Sequence, residues 1–289
     1  MIYPTAAALR DAPSKRLLFF GMSGLGKTHL SQILRASGDW FHYSIDYRIG
    51  TAYMGEHIND NLKCEAMRVP FLARLLRSDS IYLGSNMSFE NLQPLSAFLG
   101  QPGDPRQGGL PIDTYRARQA LHVRAEINAL LDTPAFVTRA REIYGYDHFV
   151  CDTGGSICEV VDPDDPADPV LMVLAEHTLP VWIEGGAKHA ATLVERFDRA
   201  PKPMCYRPAF LDAAWDAFLA RPDVDPDAVD PLAFARAAYA DAIAEREPRY
   251  RAMARNWGVS VSGAEVAVAR DARDVVEMVA GAIDRRAGG

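Results

Sequence analysis

The sequence predicts an α/β fold: a parallel sheet of about five strands flanked by helices. Three observations predict it. An apolar run of strand length, RLLFF at residues 16–20, enters a glycine-rich stretch and then a helical pattern. Further short apolar runs recur along the chain, each followed by a turn or helix signal. Between the second and third of these runs lie about a hundred residues that read mostly as helix.

Taken in order, the first strand is residues 16–20, and the helix after the glycine-rich stretch begins HLSQILRAS. The second strand is expected at 40–46, WFHYSID, where apolar and polar residues alternate up to the carboxylate of Asp46. The third is HFVCDT at 148–153, with Asp152 just before Gly154 and Gly155; the fourth is PVWIE at 180–184 and the fifth GVSVS at 258–262. Helices are expected over LKCEAMRVPFLARLLR, over TYRARQALHVRAEINALL and near 135–144. A structureless loop as long as 47–147 is improbable, so this stretch reads as a helical subdomain inserted into a core made of 1–46 and 148–289. The run GQPGDPRQGGLP at 100–111 breaks the insert in two, and DPDDPADP at 162–169 reads as a solvated surface loop.

Composition narrows the functional classes. With 48% apolar and 24% charged residues, the chain is neither disordered nor collagen-like. No apolar run approaches the roughly 18 residues of a membrane span. The first residues, MIYPTAAALRDAPSKR, lack the basic start and apolar core of a secretory signal, so a cytoplasmic location is expected. Thirty-one basic against 38 acidic residues leave a net charge of −7, which argues against nucleic acid as a partner. Cys64, Cys151, Cys158 and Cys205 form no CxxC pair and read as reduced residues, two of them in apolar contexts. The histidines are scattered rather than spaced as ligand pairs.

The stretch GMSGLGKT matches GxxxxGK[ST] in full. Glycines at Gly21, Gly24 and Gly26 let the backbone N–H groups of Met22, Ser23, Leu25 and their neighbours turn toward phosphate oxygens, and the helix that follows presents its positive end. Lys27 would bridge the β- and γ-phosphates, Thr28 would ligate Mg²⁺ through its hydroxyl, and His29 follows directly. ATP and Mg²⁺ are the cofactors expected. The carboxyl ends of strands in an open parallel sheet face the ligand crevice, which directs attention to Asp46 and Asp152. Asp152 could hold the water shell of Mg²⁺, and Asp46 could orient or deprotonate an acceptor hydroxyl.

Four stretches together resemble the shikimate kinase family, within the superfamily that also holds adenylate and gluconate kinases. They are GMSGLGKT; FHYSIDYRIG, where the family places its substrate-binding aspartate; CDTGGS, resembling its glycine-rich third-strand motif; and AEREPRYRAMARNWGVSVS, which carries an ER-x-P-x-Y pattern at Arg246, Pro248 and Tyr250. The resemblance implies a P-loop NTPase-type sheet, transfer of the γ-phosphoryl group of ATP to a hydroxyl, and contact between Arg246 and an acidic group on the acceptor. It implies that Asp46, Gly154 and Gly155 border the acceptor; Arg48, at the start of the insert, is placed to reach an anionic one. Ser44 stands where the family has a second aspartate and Ser156 where it has a further glycine. The helical insert replaces the family's short substrate-binding region, so an acceptor other than shikimate is expected.

A lid is expected near 195–208, ERFDRAPKPMCYRP, where Arg196 and Arg199 would stabilise charge on the transferred phosphoryl group. The leading expectation is an ATP- and Mg²⁺-dependent small-molecule kinase whose acceptor is anionic and larger than shikimate. The alternative is an ATPase that acts as a nucleotide-driven switch and meets a protein partner through the insert; an ATP-binding protein without turnover is a third.

Overall fold

The computed structural model describes residues 1–199 and 201–288, apart from the side chains of Ala187, Lys188 and Ala190. Among the described residues five strands form one sheet: β1 Arg16–Phe20, β2 Trp40–Ser44, β3 His148–Asp152, β4 Leu179–Glu184 and β5 Val259–Ser262. Every pairing is parallel, in the order β2-β3-β1-β4-β5. β1 and β3 are buried along almost their whole length, which is why they read as continuous apolar runs rather than as alternating ones.

The order creates the crevice. From β1 the chain moves one way, to β2; from β3 and β4 it moves the other way. Right-handed crossovers then place these connections on opposite faces, and the reversal at β1 opens a groove beyond the carboxyl ends of the strands. Side chains of β1 serve both faces in turn. Leu17 and Phe19 join Leu30, Leu34 and Val279 under the helices Lys27–Ala36 and Ala272–Gly288. Leu18 and Phe20 join Tyr43, Phe149, Ala129 and Tyr250 on the other face, under helices that include Ile112–Leu131 and Pro231–Trp257.

The second strand ends sooner than the sequence pattern suggests. β2 stops at Ser44, whose Oγ accepts from the Tyr47 amide at 3.4 Å and caps a helical turn, Ile45–Arg48. A π-helical turn, Ile49–Tyr53, continues it. Asp46 therefore sits in the first turn of a helix, not on the end of a strand. The expected helix over LKCEAMRVPFLARLLR is also divided, into Gly55–Met67 and Pro70–Arg77. Pro70 is the cause: it forces the extended backbone at Val69 and opens the second helix.

Within 47–147 the helices Gly55–Met67, Pro70–Arg77, Gln93–Leu99, Ile112–Leu131 and Thr133–Glu142 are present, and 100–111 breaks the series as expected. The last two are part of the sheet's own covering layer. Ala125, Ala129, Leu130 and Ala140 are buried in one core with Phe149 and Cys151, and the Tyr43 hydroxyl donates to the Ala129 carbonyl at 2.7 Å.

Helix Ala187–Arg199 packs through Leu193 and Phe197 on Tyr239 and Ile243, with the Phe197 and Tyr239 rings 3.8 Å apart. Ala200, inside the expected lid at 195–208, lies outside the described residues. Among the described residues no helix is long and apolar enough to cross a membrane.

Candidate functional site

The turn between β1 and the helix Lys27–Ala36 needs glycine where it turns most sharply. Gly26, at φ +97°, is the residue before the helix, and a Cβ there would come within 2.7 Å of Val266. Lys27 follows at the helix N-terminus, 7% exposed, and its ammonium donates to the carbonyls of Gly21 and Met22 at 2.8 Å each. Burial lowers its pKa, while the carboxylates of Asp152 and Asp46 act in the opposite sense.

Thr28 Oγ donates to Asp152 Oδ2 at 2.9 Å, which joins the start of the helix to the end of β3. The same Asp152 oxygen lies 3.7 Å from Nε2 of His42 on β2. Neither ring nitrogen of His42 has a hydrogen-bond partner, although both are buried. Asp46 closes the far side. Its carboxylate lies against Gly154, where a Cβ would approach Oδ1 to 2.4 Å. Burial first, and the charge of Asp152 second, push its pKa up to about 6, with Lys27 pulling the other way.

These groups line a cavity of about 340 Å³ that also contains His29, Phe89 and Gly155. Two further cavities adjoin it. One, of about 690 Å³, shares Gly24, Gly26 and His29 with it and extends past Leu25 to Gly185 and Ala264. The other, of about 190 Å³, shares Ser23, Asp46, Leu92 and Gly155 and is otherwise mostly apolar, with Leu95, Leu99, Met204 and Ile243 in its walls. Asp46 borders both the 340 Å³ and the 190 Å³ cavities.

The expected arginines behave differently from one another. Arg196 extends its guanidinium over the turn, 3.3 Å from where a Cβ on Gly24 would be. Arg199 is exposed at the end of the same helix. Arg48 turns away from the cavities to Asp132, with contacts of 2.8 and 2.7 Å from Nε and Nη2, and lies over the rings of Tyr53 and Phe136. Arg246 does border the 190 Å³ cavity, but each of its three nitrogens already donates within the protein. They donate to Glu159 at 2.6 Å, to the Gly155 carbonyl at 3.0 Å and to the Cys205 carbonyl. Tyr250, one turn on, donates to the same Gly155 carbonyl at 2.6 Å. The ER-x-P-x-Y pattern thus clamps the turn after β3, and the charge of Arg246 is met by Glu159 rather than left open to a ligand.

Sequence reasoning missed His42, Phe89, Leu92 and His189. His42 carries a readable signal: it sits two residues before Ser44 on the same strand and so shares its face. Phe89 stacks on Tyr47 with ring centroids 4.7 Å apart, and His189 Nε2 lies 3.2 Å from the Ser23 carbonyl; neither contact has a local sequence signature. Comparisons of the chain with protein-family models, with curated proteins and with solved structures gave no match.

Proposed function

We propose that this chain is an ATP- and Mg²⁺-dependent phosphotransferase of the P-loop kinase type that phosphorylates a hydroxyl of a small molecule. One observation carries the reading: Asp46 borders two adjoining cavities, the larger lined by Lys27, Thr28 and Asp152, the smaller mostly by apolar side chains. Such a junction is where a phosphoryl donor and an acceptor would meet.

The residues fit a magnesium nucleotide. Backbone amides of the glycine-rich turn and Lys27 would hold the phosphates; Thr28 and Asp152, already hydrogen-bonded to each other, are the pair that would hold the metal. The bound Mg²⁺–ATP supplies the electrophilic phosphorus and screens its charge. The nucleoside end has room in the 690 Å³ cavity, which runs from the turn toward β5.

The protein's own residues do the rest by positioning and by charge. To reach a phosphate, Lys27 gives up its bonds to the Gly21 and Met22 carbonyls, bonds that keep a buried ammonium satisfied meanwhile. Arg196 lies over the turn from the outer side, suited to charge that builds on the transferred group. With a pKa near 6, Asp46 is ionised at neutral pH yet basic enough to take a proton from an acceptor hydroxyl. Phe89 and Leu92 line the 340 Å³ cavity, and Leu92 borders the 190 Å³ cavity as well, beside Asp46.

Incubating the protein with γ-labelled ATP, Mg²⁺ and a metabolite extract tests the reading: label should move to a small molecule. Release of phosphate that only a protein stimulates would instead support a nucleotide-driven switch. That second reading draws on Phe71 and Tyr82 of the 47–147 segment, which are 59% and 86% exposed and would suit a protein partner.

A further inference from the structure

Outside the phosphate-sized cavity, three chemically distinct donors converge in the interior. His122 and Glu126 are one turn apart on helix Ile112–Leu131 and so share a face. Cys205 comes from the segment after residue 200, and that segment is pinned to the same helix. Gln119, one turn before His122, donates to the Met204 carbonyl at 2.9 Å and accepts from the Tyr206 amide at 2.9 Å. Tyr115, a turn earlier still, donates to the same Met204 carbonyl at 3.2 Å. The residue between these anchors is Cys205. One ligand atom from each of His122, Glu126 and Cys205 falls within 4.8 Å of the others, and the three residues are 4%, 0% and 5% exposed.

Two polar atoms of these side chains have no hydrogen-bond partner. His122 Nδ1 and Glu126 Oε2 are fully buried and unbonded, and they face each other at 3.7 Å. That separation is too long for a hydrogen bond. It does match the edge of a tetrahedron about a zinc ion, which is about 3.3 to 3.8 Å for bonds of about 2.0 to 2.3 Å. The other oxygen of Glu126 accepts from Ser156 Oγ at 2.9 Å, so the carboxylate is held in orientation from behind, as ligating carboxylates are. The adjacent charges are balanced, since Arg246 pairs with Glu159.

We propose that His122, Glu126 and Cys205 form a zinc site whose fourth position opens on the 190 Å³ cavity. The donor set of imidazole nitrogen, thiolate sulfur and carboxylate oxygen suits Zn²⁺ and is wrong for Mg²⁺ or Ca²⁺, which take oxygen. His122 and Cys205 both line that cavity, so the open position is on their side, where a water or a ligand's oxygen completes the tetrahedron. On binding, the Cys205 thiol gives up its proton to solvent, and Glu126 binds as the carboxylate.

Cobalt(II), added to chelator-treated full-length protein, is the probe. One equivalent should bind with the intense visible bands of a tetrahedral centre and a thiolate-to-metal charge-transfer band in the near ultraviolet, and Zn²⁺ should bleach both. Cys205→Ser should abolish the charge-transfer band, whereas Cys64→Ser, at an exposed position, should leave the spectrum intact. Glu126→Gln, nearly isosteric, should weaken metal binding at least tenfold. Absence of stoichiometric binding by the unmodified protein overturns the site, as does a charge-transfer band that survives Cys205→Ser. The unmodified protein carries the test even if a variant fails to fold. ATP binding, measured on the same samples, is a separate readout, so failure of the zinc site and failure of the kinase reading are distinguishable.

Discussion

In the proposed reaction Asp46 would concentrate the chemistry in one carboxyl group. Replacing it by Asn should leave ATP affinity nearly intact and cut phosphoryl transfer by about 10² or more, which single-turnover measurement would read. Its pKa also sets a pH dependence. The folded protein favours the protonated form, so ionisation costs stability as pH rises from about 4 to about 6, and the full cost stays in place above that. Asp46→Asn should therefore stabilise the fold by roughly 3 kcal/mol at pH 8, seen as a higher melting temperature, and give little gain at pH 4. Transfer by the unmodified protein, on the proposed reading, should in turn rise with pH through about 6 as the base is freed. Lys27→Ala should abolish turnover and weaken nucleotide binding in calorimetry, because the backbone amides alone would have to hold the phosphates. Unchanged transfer by Asp46→Asn would remove that residue from the mechanism while leaving Lys27 in it.

Elements hold these residues through contacts that mostly cross the chain. The Arg246–Glu159 pair ties helix Pro231–Trp257 to the turn after β3, and its side chains are 4% and 5% exposed. Glu159→Gln would leave a buried guanidinium without its counter-ion, and chemical denaturation should show a loss of about 3 kcal/mol or more. Local pattern made some of this architecture legible in the sequence. β1, the glycine-rich turn and the helix after it follow from a run, a motif and a helical pattern within 21 residues of one another, 16–36. Pro70 is an equally local signal, yet the apolar pattern around it reads as one helix and hides the break. Other features depend on partners too distant in sequence to be read from one segment. The Asp132 that claims Arg48 is 84 residues away, and the Glu159 that neutralises Arg246 is 87 away. Ser44 misleads for a different reason: at the end of an alternating run it looks like another strand residue, yet its hydroxyl starts the helical turn that carries Asp46.

For the whole molecule, binding of Mg²⁺–ATP to the folded state alone should stabilise it by about 2.7 kcal/mol at a hundred times Kd, seen as a concentration-dependent rise in melting temperature. A flat melting temperature across that range would argue against nucleotide binding. The segment 47–147 is legible as helical, but its role in the main core is not, because the apolar faces of its last two helices could pack on any partner. The structure shows that they pack on the sheet, with Ala129 and Leu130 fully buried. Helix Ile112–Leu131 is the piece that makes this matter. It is 20 residues long, so roughly 30 Å from end to end. Near its start Tyr115 grips the backbone of Met204; in its middle lie Gln119, His122 and Glu126; near its end the Ala129 carbonyl receives the hydroxyl of Tyr43 on β2. A strut fixed at three points cannot yield at one alone. Amide protons of residues 204–206 and of β2 should consequently exchange with deuterium as a single cooperative unit, although more than 150 residues separate them along the chain.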